Sequence, residues 1–324
     1  MPRPSPGPDR AHRPARARLA AAGAALVTLV APVAAGCGDD EAGATDRRLR
    51  VVATTPQVAD ILYNVGGTDI NIITLVPLGA DPHTYRPTEE DAREIDDANV
   101  VFASGGGLDE WARRIAQDRG VADADVIELA ASVTQRVRNG RLDPHWWLDP
   151  RNIEAAATDV RDELIKRARA ARLRFSSNLN DYVDQLQALE LRSATCLAPI
   201  RRARRRFAAD HEAFGYFAGR FRLTDIGGLT PATDRPRVAT PAVTARLAAR
   251  MRALGVPIVL AQDRSPAPAR ALARLAGARV VRGVSGDRLG GPGVDGDTLL
   301  AALTADTRSI AGALGAPPCP RAEP

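Results

Sequence analysis

The sequence has few aromatic, cysteine and histidine residues. Phe, Trp and Tyr make up 4% of the 324 residues, so hydrophobic cores must be built from Leu, Val, Ile and Ala. The hydrophobic content of 45% suffices for such cores and excludes disorder over most of the chain. The length predicts two domains of ordinary size.

The chain has almost no net charge outside its N-terminus. Residues 1–36 hold five Arg and one Asp, which leaves 39 basic against 38 acidic residues in the rest of the chain. A near-neutral chain lacks the electrostatic footprint of a nucleic-acid-binding protein, and we expect no nucleic-acid partner. The arginine cluster at 201–206 is interpreted as a solvated face.

The N-terminus is typical of an export signal. An Arg- and Pro-rich segment precedes a weakly apolar run, residues 19–35, which Pro32 interrupts. This pattern predicts a signal peptide over 1–36 rather than a membrane-spanning helix. The small residues before Cys37 resemble a bacterial lipoprotein box, which would acylate Cys37 and anchor it in membrane lipid. Residues 37–48 would be a polar tether, and the protein would be extracytoplasmic and membrane-anchored. Plain cleavage with an unmodified Cys37 is the alternative.

Two cysteines remain in the predicted mature chain, Cys196 and Cys319. An even number of cysteines in an exported protein predicts a disulfide between them. Two buried free thiols are the alternative.

Apolar runs of strand length alternate with helical patterns from residue 49 onward, which predicts α/β architecture with parallel sheets. The long polar periodic segment from about 171 to 195 predicts one helix that joins two lobes. The predicted organisation is an N-terminal α/β lobe over 49–170, a connecting helix over 171–198 and a C-terminal α/β lobe over 199–316. Strands are predicted over 49–53, 70–76, 100–103, 126–129, 207–209, 223–226, 257–261 and 279–282.

The predicted mature chain has three histidines, and each has an acidic neighbour: His83, His145 and His211. The first two lie in Asp-Pro-His sequences, where proline restricts the backbone and can aim an imidazole at low entropic cost. Taken singly, each could be an ordinary loop histidine. Together they follow or end predicted strands, where open α/β sheets bind ligands, and three imidazoles suit a cation such as Zn²⁺.

Three segments resemble the metal motifs of the zinc/manganese-binding lipoproteins that serve ABC importers. They are Gly79-Ala-Asp-Pro-His-Thr-Tyr-Arg-Pro-Thr-Glu-Glu-Asp91, Asp143-Pro-His-Trp-Trp-Leu-Asp-Pro150 and Asp210-His-Glu-Ala-Phe-Gly-Tyr-Phe-Ala218. The resemblance covers about residues 49–315. It implies two doubly wound lobes joined by a rigid helix, with one transition-metal ion at the lobe interface. It also implies an ABC permease and its ATPase as partners.

The chain departs from this family's pattern in two places. The segment 132–142 contains neither His nor acid, so an auxiliary metal-collecting loop is absent. Gln262 stands where many members have Glu, and the nearest carboxylate, Asp263, is the predicted fourth metal ligand. An acid near a helix N-terminus is the alternative reading of Asp263.

These features predict a monomeric binding protein that carries Zn²⁺, with Mn²⁺ as the second choice, and that is not an enzyme. His211 as the third ligand, rather than a carboxylate, favours zinc. A surface adhesin with a structural metal is one alternative. A zinc hydrolase is another, with Glu212 as its general base, although the sequence has no HExxH motif.

Overall fold

The computed structural model of the protein describes residues 48–138, 140–232, 239–262, 267–290 and 296–319. The predicted signal peptide, Cys37 and the tether up to residue 47 lie outside the described residues, as does Asp263. None of the helices in the described ranges combines the length and the apolar character needed to cross a membrane.

The N-terminal lobe contains a parallel four-stranded sheet in the order β2-β1-β3-β4. Its outer helices α2 and α3 pack together, and α1 contacts α4 on the other side. The elements are β1 Leu49–Ala53, α1 Pro56–Gly66, β2 Ile70–Thr74, α2 Glu89–Asp96, β3 Val100–Ala103, α3 Glu110–Arg119, β4 Val126–Glu128, the short hairpin of β5 Val137–Arg138 and β6 Arg141–Leu142, and α4 Pro150–Arg167.

The C-terminal lobe repeats this plan with a parallel sheet in the order β10-β9-β7-β8. Helices α7 and α8 cover one face, and α9 packs against β9 and β10. The elements are β7 Arg206–His211, α6 Gly215–Arg220, β8 Thr224–Thr230, α7 Pro241–Leu254, β9 Ile258–Ala261, α8 Ala267–Ala276, β10 Arg279–Arg282 and α9 Leu299–Leu314.

A single helix, α5 Arg172–Leu197, joins the two lobes. Its 26 residues span about 39 Å at the helical rise, long enough to pass both sheets. The helix contacts α1 and α4 of the first lobe and α9 of the second. One buried stripe makes these contacts, and its members recur every three or four residues: Phe175, Leu179, Tyr182, Leu186 and Leu189.

The predicted fold class is confirmed, and each predicted strand overlaps an observed one. Two elements went unpredicted. Helix α4 ends at Arg167 and a short 3-10 turn separates it from α5, without the Gly or Pro that usually mark such a break. The β5–β6 hairpin is too short to give a strand pattern. Leu173, an apolar residue near the start of the predicted connecting helix, is exposed.

The structure pairs Cys196 and Cys319 as a disulfide, with the two Cα atoms 5.0 Å apart and a sequence separation of 123. Cys196 lies on the buried face near the end of α5. The bond joins the connecting helix to the segment that follows α9.

Candidate metal centre

Four side chains converge where the two lobes meet. His83 lies in the loop between β2 and α2, and His145 follows the β5–β6 hairpin. In the other lobe His211 is the last residue of β7, and Asp287 lies in the loop after β10. Each lobe thus contributes two residues near the carboxyl ends of its parallel strands, where α/β sheets bind ligands.

The four side chains can offer one ligand atom each, all within 4.8 Å of one another. The Nε2 atoms of His83 and His145 are 3.2 Å apart. His145 Nε2 lies 2.7 Å from Asp287 Oδ1, and His211 Nε2 lies 2.9 Å from Asp287 Oδ2. Ligand atoms on a tetrahedral Zn²⁺ are about 3.3 Å apart, given metal–ligand distances of about 2.0–2.1 Å. The separations therefore suit a small four-coordinate cation.

Local hydrogen bonds orient the two Asp-Pro-His histidines. Asp81 Oδ1 accepts from the backbone N–H of His83 at 2.9 Å, and Asp143 Oδ1 accepts from that of His145 at 3.1 Å. Asp143 Oδ1 also lies 2.7 Å from His145 Nδ1. A carboxylate that accepts the Nδ1 proton leaves Nε2 free to bind a metal. The aspartates that the sequence places two residues before each histidine thus serve as backbone anchors.

His211 is oriented by its direct neighbour. Asp210 Oδ1 accepts from the backbone N–H of His211 at 2.8 Å and lies 3.4 Å from its Nδ1. The second oxygen, Asp210 Oδ2, accepts from the backbone N–H of Gln262 at the end of β9. Asp210 therefore links the end of β7 to the end of the neighbouring strand β9.

The cluster is almost closed to solvent. The His145 side chain is fully buried, Asp287 is 5% exposed, and His83 and His211 are 9% and 14% exposed. Burial disfavours charged groups, so the charges here must compensate one another. Burial alone would lower the pKa of His211, but Asp287 and Asp210 outweigh it and raise the pKa to about 10.

The same balance acts on the other buried groups. Burial opposes ionisation of Asp287, but His211 and His145 prevail and hold its pKa well below the ordinary value. Burial lowers the pKa of His145, whereas Asp287 and Asp143 together raise it. The Asp287 carboxylate thus favours the protonated forms of His145 and His211. A cation that enters must displace those protons.

Asp287 Oδ1 provides the test of whether a metal fits. This atom is buried, with His145 Nε2 at 2.7 Å and His83 Nε2 at 3.4 Å. A buried carboxylate oxygen between imidazole nitrogens must be satisfied either by a proton on an imidazole or by a cation. The donor set of three imidazoles and one carboxylate is one that Zn²⁺ accepts.

Four side chains, three of them buried, hold the backbone of Ser285, Gly286 and Asp287. The N–H of Ser285 donates to Asp306 at 2.8 Å, and Trp147 Nε1 donates to the Gly286 carbonyl at 2.9 Å. The N–H of Asp287 donates to Gln262 Oε1 at 2.8 Å, and Gln57 Nε2 donates to the Asp287 carbonyl at 2.6 Å. Trp147 and Gln57 belong to the N-terminal lobe, so both lobes position this loop.

The structure brings His83, His145 and His211 together, as the sequence predicts. The acid that lies with them among the described residues is Asp287, which the sequence analysis missed; the predicted fourth ligand, Asp263, lies outside the described residues. Asp287 follows the predicted strand 279–282 within the Gly-rich stretch 283–296, a composition typical of a surface loop. An acid just beyond a strand of the sheet that carries His211 was the available signal.

The β5–β6 hairpin crosses from the N-terminal lobe to the C-terminal lobe beside the site. Arg138 lies 3.0 Å from Glu212 and 2.7 Å from Asp225 in ion pairs. The backbone N–H of Arg136 donates to the Tyr216 hydroxyl at 2.8 Å. Glu212, the general base of the hydrolase alternative, thus forms an ion pair with Arg138.

The fold and the site together define a class: two-lobed α/β proteins with a buried cluster of metal-ligating side chains between the lobes. The chain belongs to the family described as "Zinc-uptake complex component A periplasmic" (ZnuA), whose model matches residues 51–313.

The chain is similar to relatives that are named as manganese-binding or substrate-binding lipoproteins. The chain is 28% identical over 206 residues to the manganese-binding lipoprotein MntA of Halalkalibacterium halodurans, covering 62% of this chain and 68% of the relative. It is 27% identical over 203 residues to the manganese ABC transporter substrate-binding lipoprotein PsaA of Streptococcus mitis, covering 60% and 65%. The chain thus spans about two thirds of the length of these relatives.

Solved structures share the fold. The periplasmic zinc-binding protein TroA of Treponema pallidum superposes with a TM-score of 0.76 at 21% identity, covering 82% of this chain and 99% of TroA. The cadmium-bound periplasmic metal-binding protein of Candidatus Liberibacter asiaticus superposes with a TM-score of 0.73 at 19% identity, covering 82% and 98%.

Proposed function

We propose that this protein captures a divalent transition-metal ion outside the cytoplasm and delivers it to an ABC importer. The observation that carries the proposal is the convergence of three imidazoles and one carboxylate from two lobes within 4.8 Å. Four protein ligands leave no position for an activated water, which suits capture rather than catalysis. The relatives' names, which describe substrate-binding lipoproteins of ABC transporters, support the same role.

Zn²⁺ is the proposed cargo. Three nitrogen ligands and a single carboxylate favour zinc, whereas Mn²⁺ prefers oxygen-rich shells of higher coordination number. The names of the relatives make Mn²⁺ the competing cargo, while the family description refers to zinc. The donor set supports zinc as the proposed cargo.

The remaining parts of the proposal concern the protein's surroundings. Acylated Cys37 would hold the protein at the membrane, as the lipoprotein names of its relatives support. The partners would be a permease and its ATPase, and we propose that the protein acts as a monomer. Replacing Cys37 with Ser should release the protein from the membrane fraction. A Cys37→Ser protein that stays bound after a carbonate wash would contradict lipid anchoring.

Metal titration of the mature chain tests the function. The protein, stripped with a chelator, should bind one equivalent of Zn²⁺ and give it up again to excess chelator while staying folded by circular dichroism. An adhesin with a structural metal should instead unfold on metal removal, and a hydrolase should turn over ester substrates. Either of these results, or no stoichiometric binding, would contradict the proposal.

A further inference from the structure

Gln262 is the one residue outside the cluster, among those described, whose side chain contacts both metal-ligating residues of the C-terminal lobe. Its Nε2 lies 2.8 Å from Asp287 Oδ2, and 2.8 Å and 3.1 Å from the two ring nitrogens of His211. We propose that Gln262 is a positioning residue that restricts Asp287 to one ligating oxygen and thereby favours four-coordinate Zn²⁺ over Mn²⁺. This inference rests on the proposed function, because it concerns the selectivity of the same site.

The orientation of the Gln262 amide follows from its partners. The backbone N–H of Asp287 can only donate, so the amide atom that it meets at 2.8 Å is the oxygen, Oε1. Because Oε1 accepts that bond, the other amide atom, which faces Asp287 Oδ2 at 2.8 Å, is the nitrogen, and it donates. The Gln262 side chain therefore forms two hydrogen bonds with Asp287, one with the backbone N–H of Asp287 and one with its carboxylate.

These hydrogen bonds place the two carboxylate oxygens of Asp287 in different surroundings. Oδ2 accepts from Gln262 and lies 2.9 Å from His211 Nε2. Oδ1 instead faces the histidines of the N-terminal lobe, 2.7 Å from His145 Nε2 and 3.4 Å from His83 Nε2. Because Oδ2 is occupied by the Gln262 amide, Oδ1 is the oxygen that a cation would engage. One oxygen and three nitrogens make a tetrahedral shell, which zinc accepts readily and Mn²⁺ does not.

Packing and hydrogen bonds together fix the position of the Gln262 side chain. Its backbone N–H donates to Asp210 Oδ2 at 3.0 Å, which fixes its position at the end of β9. A Cβ atom on Gly286 would lie 2.9 Å from the Gln262 amide carbon and nitrogen, a distance that side chains do not tolerate. Gly286 thus leaves the space that lets the amide reach Asp287.

The test compares Gln262→Met with Gln262→Glu. Met keeps the length of the side chain and removes the amide donor without adding a ligand. Glu keeps the shape, removes the donor and adds a carboxylate beside Asp287. The control is Gln185→Met, which makes the same change at an exposed glutamine of α5, outside the site. Gln185 Nε2 donates to the Asp181 carbonyl at 3.2 Å.

Two readouts are required for each protein: competition titrations that give the ratio of Zn²⁺ to Mn²⁺ affinity, and the visible spectrum of the Co²⁺-loaded form. Wild type should show the intense bands of tetrahedral cobalt. Both Gln262 variants should weaken these bands and lower the zinc-to-manganese ratio by about 10- to 100-fold, the range for residues that support a ligand. Gln185→Met should keep the wild-type ratio and band intensity.

Two results would overturn the inference: Gln262 variants with the wild-type ratio and cobalt spectrum, or weak six-coordinate cobalt bands in the wild type. If one Gln262 variant fails to fold by circular dichroism, the other carries the test. Failure of the proposed function looks different, because wild type would then bind no stoichiometric metal at all.

Discussion

The two lobes build their halves of the site in different ways. In the N-terminal lobe, His83 and His145 are fixed by hydrogen bonds to an aspartate two residues earlier, within a proline-restricted turn. In the C-terminal lobe, Asp287 is held through contacts with residues up to 230 positions away in sequence. The N-terminal half is preorganised by local sequence, whereas the C-terminal half combines a locally held His211 with an Asp287 that is placed only once the whole chain has folded. We expect substitutions to affect the two halves differently.

The largest effect on stability should come from the disulfide, which anchors the end of the C-terminal lobe. Replacing Cys196 and Cys319 together with Ser removes a cross-link over 123 residues, which the chain-entropy model values at about 5 kcal/mol at most. Urea unfolding of the metal-free double variant should therefore show a much lower midpoint. Thiol alkylation of the wild type without reductant should label neither cysteine, and labelling of both would contradict the bond.

A pH-dependent effect should follow from Asp306, which supports the Asp287 loop. Burial raises the pKa of Asp306 to about 7, although the backbone N–H of Ser285 partly opposes this shift. A carboxyl group that binds its proton more tightly when folded stabilises the protein at low pH. This contribution is lost as pH rises from about 4 to about 7, at about 1.4 kcal/mol per pKa unit.

Asp306→Asn removes this titration while keeping an oxygen that accepts from Ser285. Relative to wild type, the variant should gain a few kcal/mol in free energy of unfolding between pH 4 and pH 8. Denaturant titrations of both metal-free proteins across this pH range measure the difference between their free energies of unfolding. Both proteins contain the same histidines, so the contribution of histidine titration cancels in this difference. A difference that does not change with pH would contradict the role given to Asp306.

A smaller effect compares the aspartates that orient His145 and His211. Asp143 lies 2.7 Å from His145 Nδ1, whereas Asp210 lies 3.4 Å from His211 Nδ1. Asp143→Asn should weaken zinc by about 10- to 100-fold, and Asp210→Asn by less, because its contact to the ring is longer. Chelator competition at one pH measures both. Equal losses would show that the local turn gives the N-terminal half no special advantage.

The difference between local and distant contacts also explains which parts of the fold and of the site the sequence could predict. Strands β1 and β3 were predicted to the residue, because buried parallel strands read as short apolar runs between helical patterns. His83 and His145 stood out because the Asp-Pro-His sequence itself determines their geometry. His211 stood out as an acid-flanked histidine at the end of a strand.

The parts that the sequence did not predict depend on distant contacts. Asp287 is placed by Asp306, Gln262, Trp147 and Gln57, at sequence separations of 21 to 230 residues from the atoms that they bind. No local pattern encodes such a convergence. The β5–β6 hairpin likewise takes its position from Glu212 and Asp225, which bind Arg138 from the other lobe.

The central claim is that one ion binds between the lobes, to ligands from both. The most direct measurement is a chelator competition for Zn²⁺ with wild type, His145→Ala, Asp287→Ala and Asp263→Ala at one pH. The account predicts one zinc per wild-type chain, and losses for His145→Ala and Asp287→Ala well above the roughly 100-fold limit of indirect effects. It predicts near-wild-type affinity for Asp263→Ala. Wild-type affinity in Asp287→Ala, together with a large loss in Asp263→Ala, would contradict the assignment and return Asp263 to the site.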